Sequence, residues 1–302
     1  MFPVRLSSGC KINLGLRIFG VRTDGYHELD SIFYPLPYPR DDLTISLRRG
    51  GGVRIFCDMP DLDPENNTLT KAYKAFAEAV GMAPGIEVSL RKRIPVGAGL
   101  GGGSGNAAAL LRWLNRESGS PLNFNALAEL ALTVGADTPF FLRNSPCRVR
   151  GIGERLTPVG AGLADYWLVL VCPDIQVSTR EAYAGYDALL PAFTGFPPAR
   201  NSLTEFSLRA KENTLFGAQR DSCFCGNLKD DFTNDLEAAV FPRYPLLASV
   251  KSELSRLGAD VASMSGSGAS LFGLFPHCKA DIAKKVALAL RSERQRVFLL
   301  HL

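Results

Sequence analysis

The chain has little of what marks membrane, secreted or nucleic-acid-binding proteins. No apolar run reaches the roughly 18 residues that a membrane span requires. The chain does not open with a basic stretch followed by an apolar one, as a secretory signal would. Basic and acidic residues are nearly balanced, 34 against 30, and the longest run of like charge is residues 91–93. We therefore expect a cytoplasmic protein with no nucleic-acid or membrane partner.

Cysteine is present, but its spacing predicts neither a metal site nor a disulfide framework. The seven cysteines are scattered, and only Cys223 and Cys225 lie close together. No spacing resembles that of a zinc site. We expect reduced thiols, which agrees with a cytoplasmic protein.

The order of predicted elements indicates an α+β protein with two domains, residues 1–162 and 163–302. In the first domain, the predicted strands are 43–47, 53–56 and 86–90, and the predicted helices are 70–80, one opening at about 104, and 123–134. The second domain follows the split β-α-β-β-α-β order of ferredoxin-like folds. Its elements are strand 167–171, helices 178–189 and 243–257, strands 261–264 and 270–275, helix 280–291 and strand 296–300. Residues 191–233 show no sustained period and predict a long irregular excursion.

Residues 97–105, with the sequence GAGLGGGSG, contain the strongest motif of the chain. Gly97, Gly99 and Gly102 satisfy G-x-G-x-x-G, the fingerprint of dinucleotide-binding proteins, but a lone match is weak. The preceding strand alternates apolar and polar residues, whereas the central parallel strand of a dehydrogenase is apolar throughout. A Walker A loop is excluded as well, because no Lys-Ser or Lys-Thr pair follows the last glycine.

The physical properties of this segment nevertheless indicate a phosphate site. Six glycines in nine positions allow the backbone to turn its N–H groups towards an anion. Ser104 is predicted to open an amphipathic helix, whose N-terminus favours negative charge. Because flexible linkers rarely lead directly into such a helix, we prefer a phosphate-binding loop to a linker.

Four other positions are ambiguous when each is considered alone. Lys11 lies in a short apolar stretch, where a strand-edge lysine with its ammonium in solvent is the ordinary interpretation. Asp137 precedes Thr-Pro, which suits the N-cap of a helix. Tyr26 and His27 follow an Asp-Gly turn and could be structural or could bind a ligand. Residues 266–268 could be a hairpin turn and nothing more.

Taken together, these segments resemble the superfamily of galactokinase, homoserine kinase, mevalonate kinase and phosphomevalonate kinase, the GHMP kinases. The three motifs of that superfamily occur here in order, at residues 11–14, at 95–104 as P-x-G-x-G-L-G-G-G-S, and at 265–269 as a glycine-rich turn. Two further segments, RTDGYHEL at 22–29 and LTVGADTPFF at 132–141, are similar to one branch of the superfamily. That branch phosphorylates a methylerythritol linked to cytidine diphosphate.

Residues 151–154 and 234–237 are also similar to segments of this branch, so the resemblance runs from residue 11 to about 275. Two departures stand out. Gly105 occupies a position where the family usually has a second serine, and Ser-Gly-Cys at 8–10 replaces the usual Ala-Pro-Ala.

The resemblance implies a two-domain GHMP kinase fold, with an N-terminal domain similar to ribosomal protein S5 and a ferredoxin-like C-terminal domain. It implies ATP-dependent phosphorylation of the 2-hydroxyl of the cytidine diphosphate-linked methylerythritol, in the non-mevalonate route to isoprenoids, with ATP and Mg²⁺. Lys11 and Asp137 would be catalytic. The residues implied for nucleotide binding are Asn67, Lys92, Pro95, Gly97, Gly99, Leu100, Gly101, Gly102, Gly103 and Ser104. Those implied for substrate binding are Asn13, Tyr26, His27, Tyr183, Gly266, Ser267 and Gly268.

Two other functions stay open. The chain could be another GHMP kinase, acting on homoserine or mevalonate, although Tyr26 and His27 argue against a substrate that has no nucleobase. It could also be a catalytically silent member that binds nucleotide as a regulator, although Lys11 and Asp137 are both present. A panel of substrates offered with ATP separates these functions.

Overall fold

The computed structural model describes residues 2–59, 63–160, 162–189 and 232–302. Most of the predicted excursion at 191–233, including Cys223 and Cys225, lies outside these residues. Among the described helices, none has the length and apolarity needed to span a bilayer. The cytoplasmic location stays a prediction, as does the expected lack of nucleic-acid and membrane partners.

The first of two β-sheets is built on a pair of unusually long antiparallel strands. These are β1 (Val4–Val21) and β2 (His27–Leu47), whose pairing shifts register at three points along β1. The remaining strands are β3 (Val53–Cys57), β4 (Ile86–Arg91), β5 (Cys147–Gly151) and β6 (Arg155–Pro158). The order is β3-β4-β2-β5-β6 with β1 on β2, and only the β3–β4 pair is parallel. The strands predicted at 53–56 and 86–90 are confirmed, whereas the strand predicted at 43–47 is only the end of the much longer β2. The strands β1, β5 and β6 were not predicted.

Four helices accompany this sheet: α1 (Thr68–Val80), α2 (Gly102–Glu117), α3 (Phe124–Val134) and α4 (Thr138–Arg143). The Asn67 side chain accepts the first free N–H groups of α1, and Asn123 caps α3 in the same way. Apolar residues of α1, α2 and α3 join the inner face of the sheet in one buried core. The predicted helices at 70–80 and 123–134 are confirmed. The predicted start of α2 at Ser104 is wrong by two residues, and α4 was not predicted.

The second sheet contains β7 (Tyr166–Pro173), β8 (Val261–Met264), β9 (Leu271–Pro276) and β10 (Gln295–His301). All pairs are antiparallel, in the order β10-β7-β9-β8. Its helices are α5 (Thr179–Leu189), α6 (Glu237–Val240), α7 (Pro245–Arg256) and α8 (Ala280–Ala289). The four strands, with α7 and α8 packed against them, confirm the predicted ferredoxin-like order. The domain boundary near residue 162 stays a prediction.

The middle of β1 connects the two sheets. Ile12 and Leu14 are fully buried in a core that also contains Leu168 and Phe272 of the second sheet. Because side chains alternate along a strand, residues 11 and 13 point to the opposite face. This alternation places Lys11 and Asn13 in the cleft described next.

Candidate active site

A cleft of about 1150 Å³ collects the predicted site residues. It is bordered by the middle of β1, the start of β2, the N-terminus of α2, and α5. Every site residue predicted from the sequence lines this cleft except Gly268, which lies in the adjoining turn. Residues that lie 126 positions apart in the chain, such as Lys11 and Asp137, therefore face one cavity.

The glycine-rich loop ends in a helix N-terminus that no side chain caps. Gly101 is the N-cap residue of α2, with a φ of 69°, and it has no side chain with which to cap the first turn. The first turn of α2 contains no acidic residue either. Free backbone N–H groups and the positive end of the helix dipole therefore face the cleft, an arrangement that fits a phosphate group.

The glycine-rich loop packs directly against the second glycine-rich segment, the turn between β8 and β9. A Cβ on Gly99 would overlap the carbonyl oxygen of Ser265, and Gly99 has a φ of 73°. The Ser265 hydroxyl donates to the Gly99 carbonyl at 3.1 Å and accepts from the Asn13 N–H at 3.2 Å. Residues 266–268 do form a hairpin turn, as one interpretation predicted, and Gly266 and Ser267 also line the cleft.

We expect Gly99→Ala to impair the chain much more than Gly97→Ala. Both glycines have positive φ, 73° and 66°, so each substitution carries a similar backbone strain of about 1–2 kcal/mol. The nearest atom to a Cβ on Gly97 is 3.7 Å away, whereas a Cβ on Gly99 forces the two loops apart. The measurement is a thermal melt of both variants with the KM for ATP. Equal losses in both would show that the contact between the loops is unimportant.

The side chain of Asn234 holds the β8–β9 turn through hydrogen bonds to its backbone. Its amide nitrogen donates to the carbonyls of Met264 at 2.8 Å and Gly266 at 2.7 Å, and its oxygen accepts from the Leu236 N–H at 3.0 Å. The segment 234–237, matched to the family by sequence, therefore shapes the cleft without lining it.

Lys11 and Asp137 face each other in the cleft. The Lys11 ammonium donates to Asn13 Oδ1 at 2.5 Å and lies 3.5 Å from Asp137 Oδ2. The Lys11 side chain is 5% exposed, so the interpretation of a strand-edge lysine with its ammonium in solvent is wrong. Asp137 occupies the N-cap position of α4, yet its side chain makes no capping hydrogen bond. The Asp137 carboxylate, 28% exposed, is therefore accessible from the cleft.

At another part of the cleft, an imidazole packs on a phenol ring. The rings of His27 and Tyr183 have centroids 4.7 Å apart, and His27 Nε2 lies 2.7 Å from Asp187 Oδ1 on α5. Burial, and then the negative charge of Asp137, raise the pKa of Tyr183 to about 12, so its O–H is retained at neutral pH. Tyr26 is 60% exposed at the edge of this group. Asp187 was not predicted from the sequence.

The two residues predicted for the adenine side have partners of their own. Asn67 Oδ1 accepts from the N–H groups of Leu69 and Thr70, and its amide nitrogen donates to the carbonyls of Asp63 and Pro64. These bonds occupy the polar atoms of Asn67 in holding the start of α1, so its contact with adenine stays a prediction. The Lys92 ammonium lines the cleft and donates to Asp41 at 2.5 Å.

No cluster of three or more His, Cys, Asp or Glu side chains able to hold a metal occurs in the described parts of the chain. Mg²⁺ typically uses one or two carboxylates together with substrate phosphates and waters, rather than a cage of protein ligands. The Asp137 carboxylate, which lines the cleft together with the glycine-rich loop, fits a metal of this kind.

Comparison with known proteins places the chain among kinases. The model of the GHMP kinases N terminal domain matches residues 67–145, and that of the GHMP kinases C terminal domain matches residues 222–293. The 4-diphosphocytidyl-2-C-methyl-D-erythritol kinase of Nitratidesulfovibrio vulgaris (strain DP4) is 44% identical over 90% of each chain. That of Bacteroides fragilis (strain YCH46) is 38% identical over 88% of this chain and 89% of the relative. The chain belongs to the 4-diphosphocytidyl-2-C-methyl-D-erythritol kinase family.

Solved structures agree with this membership. A crystal structure of 4-(cytidine 5'-diphospho)-2C-methyl-D-erythritol kinase has a TM-score of 0.74 and 31% identity, covering 98% of both chains. Homoserine kinase from Cytophaga hutchinsonii has a TM-score of 0.67 at 20% identity over 98% of this chain and 94% of that one, which shows the shared fold alone. The predicted α+β, two-domain GHMP kinase fold is thereby confirmed, and the family consists of ATP-dependent small-molecule kinases.

The two departures from the family pattern lie in contact. A Cβ on Gly105 would overlap the Ser8 hydroxyl, which is buried beside the first turn of α2. A serine at 105 would therefore require the Ser8 hydroxyl to move from its present position. In this member of the 4-diphosphocytidyl-2-C-methyl-D-erythritol kinase family, the glycine at 105 therefore makes room for the serine at 8.

Proposed function

We propose that this chain transfers the γ-phosphoryl group of ATP to the 2-hydroxyl of 4-diphosphocytidyl-2-C-methyl-D-erythritol. One observation carries the proposal: the Lys11–Asp137 pair, the uncapped N-terminus of α2 and the His27–Tyr183 group line the same cleft. These three parts match the needs of the reaction, which are a proton acceptor, a phosphate cradle and a nucleobase pocket.

ATP would bind with its phosphates on the loop 97–104. The positive φ angles of Gly97, Gly99 and Gly101 turn the backbone so that phosphate can approach closely, and the N-terminus of α2 adds its dipole. Mg²⁺ would be held by the ATP phosphates with the Asp137 carboxylate near them. When bound, it would neutralise charge on the phosphates.

The Lys11–Asp137 pair would carry out the chemistry. Asp137 would accept the proton of the substrate hydroxyl, because its carboxylate is free of capping bonds and reaches the cleft. The Lys11 ammonium would stabilise the charge on the transferring phosphoryl group. Asn13 receives a hydrogen bond from Lys11 and donates to Ser31 at 3.0 Å, so it fixes the direction of the Lys11 side chain.

The rest of the cleft would hold the cytidine diphosphate. His27 and Tyr183 would contact the cytosine ring, with Tyr26 at its edge, and the turn at 266–268 would receive the diphosphate. The Ser267 hydroxyl is 2.9 Å from that of Thr179, so this turn is joined to the start of α5. Asp187 holds the imidazole of His27 in one orientation, which presents the other ring nitrogen to the base.

We expect His27→Ala to raise the KM for the cytidine substrate by roughly tenfold or more, with the KM for ATP unchanged. The physical reason is that the base loses a hydrogen-bonding edge, which ATP does not use. His301→Ala is a matched control, because His301 packs on Trp167 at a similar centroid distance of 4.8 Å but does not line the cleft. A lower melting temperature with unaltered kinetics in His27→Ala would mean that this histidine is structural.

The substrate assignment is tested by offering ATP with 4-diphosphocytidyl-2-C-methyl-D-erythritol, homoserine or mevalonate, and by measuring ADP release. We expect release with the cytidine substrate alone. Release with homoserine or mevalonate would identify another GHMP kinase. ATP binding with no release in any assay would identify a nucleotide-binding regulator.

A further inference from the structure

The carboxylate of Asp41, on β2, is enclosed by four donors. Its side chain is 0% exposed, and Oδ1 accepts from the N–H groups of Arg93 at 2.8 Å and Ile94 at 2.9 Å. Oδ2 accepts from the Lys92 ammonium at 2.5 Å and the Asn106 amide at 2.8 Å. A carboxylate has about four acceptor sites, so this one is fully used.

The four donors flank the phosphate loop on both sides. Residues 92–94 form the segment that leads from β4 into the loop, and Asn106 lies in α2 just beyond it. One buried side chain therefore connects the entrance and the exit of a loop that is otherwise rich in glycine. Such a connection reduces the freedom that the glycines would give the loop before ATP binds.

The same carboxylate orients Lys92. The Lys92 side chain is 7% exposed, and its ammonium would lie 3.2 Å from a Cβ on Gly102, the first residue of α2. An ammonium has three N–H donors, and Asp41 receives one of them. The Lys92 charge is thus held beside the helix N-terminus where an anion would bind.

We propose that Asp41 is a positioning residue for ATP: it acts through Lys92 and through the two ends of the phosphate loop, without touching the nucleotide. This proposal rests on the proposed function only in requiring that the loop binds ATP. A buried ion pair contributes little to stability by comparison with apolar packing, so stability alone gives a weak reason for placing one here.

The test measures the Kd of the nonhydrolysable analogue AMP-PNP, by calorimetry, for Asp41→Asn, Lys92→Met and the double variant. We expect each single variant to bind about tenfold more weakly, the scale of one lost charge-assisted hydrogen bond. Because Asp41 acts in part through Lys92, the loss of affinity in the double variant should be smaller than the product of the two single losses. The cytidine substrate is absent from this assay, so an error in its identity would not affect the result.

Asp30→Asn is the matched control. Asp30 is another buried carboxylate on β2, paired with Arg148 at 2.5 Å, and it does not line the cleft. We expect Asp30→Asn to lower the melting temperature without changing the Kd. An unchanged Kd in folded Asp41→Asn, or additive losses in the double variant, would overturn the proposal. If Asp41→Asn fails to fold, Asp41→Glu decides, because it keeps the negative charge but moves it relative to Lys92 and the two ends of the loop. Unchanged affinity in Asp41→Glu would overturn the proposal as well.

Discussion

Asp137→Asn is expected to lower kcat by about 10²–10³-fold while the KM for ATP changes little. The amide cannot accept the proton of the attacking hydroxyl, whereas the shape of the side chain is retained. In the structure, the carboxylate lies 3.5 Å from the Lys11 ammonium and makes no capping bond to α4. The measurement is steady-state kinetics for both substrates.

The same variant tests the alternative role of Asp137. Asparagine is as good an N-cap residue as aspartate, so a purely structural Asp137 predicts nearly normal kcat and an unchanged melting temperature. Nearly normal turnover in Asp137→Asn would therefore remove this residue from the mechanism.

Lys11→Met is expected to have an effect of similar size, about 10²–10³-fold on kcat. Methionine fills much of the same space beside Phe33, whose ring centroid lies 4.4 Å from the Lys11 ammonium, so the fold should be retained. What is lost is the positive charge at the transferring phosphoryl group. The partner carboxylate of Asp137 is 28% exposed, so it is not left buried without a counter-charge.

Combining the two substitutions gives a further check. If Lys11 and Asp137 act on one transition state, the loss in kcat for the double variant should be smaller than the product of the two single losses. A Lys11→Met variant that keeps more than about a tenth of the wild-type kcat would contradict the electrostatic role assigned to this side chain.

Local chemistry made the phosphate loop predictable, because glycine content and a following helix are properties of adjacent residues. The hairpin turn at 266–268 was predictable for the same reason. The contact of this turn with Gly99 could not be predicted, because neither segment alone shows which other backbone it approaches. The glycines of the two segments permit a close approach but do not identify the partner.

The long strand β1 had no clear periodic pattern. Residues 10–18 of β1 are all buried, so both faces of the strand are covered in this stretch. The alternation of buried and exposed residues that identifies a half-exposed strand is therefore absent. By contrast, β4 alternates buried and exposed residues and was predicted almost to its ends.

The shared site of Lys11 and Asp137 was inferred from the resemblance to a family, and it could not be inferred from the two residues alone. Each has an ordinary structural interpretation, and only the fold brings them within 3.5 Å. Asp41 and Asp187 belong to no sequence motif and to no segment used for the family resemblance, so neither was predicted as a site residue. Their roles depend on which elements pack together, which is a property of topology and not of local sequence.

The most direct test of this account is a crystal structure of the chain with 4-diphosphocytidyl-2-C-methyl-D-erythritol and AMP-PNP bound together. We predict the cytosine against His27 and Tyr183, the AMP-PNP phosphates on the loop 97–104, and the 2-hydroxyl about 2.6–3.2 Å from the Asp137 carboxylate. A cytosine bound away from His27, or a 2-hydroxyl out of reach of Asp137, would contradict the assignment of the site.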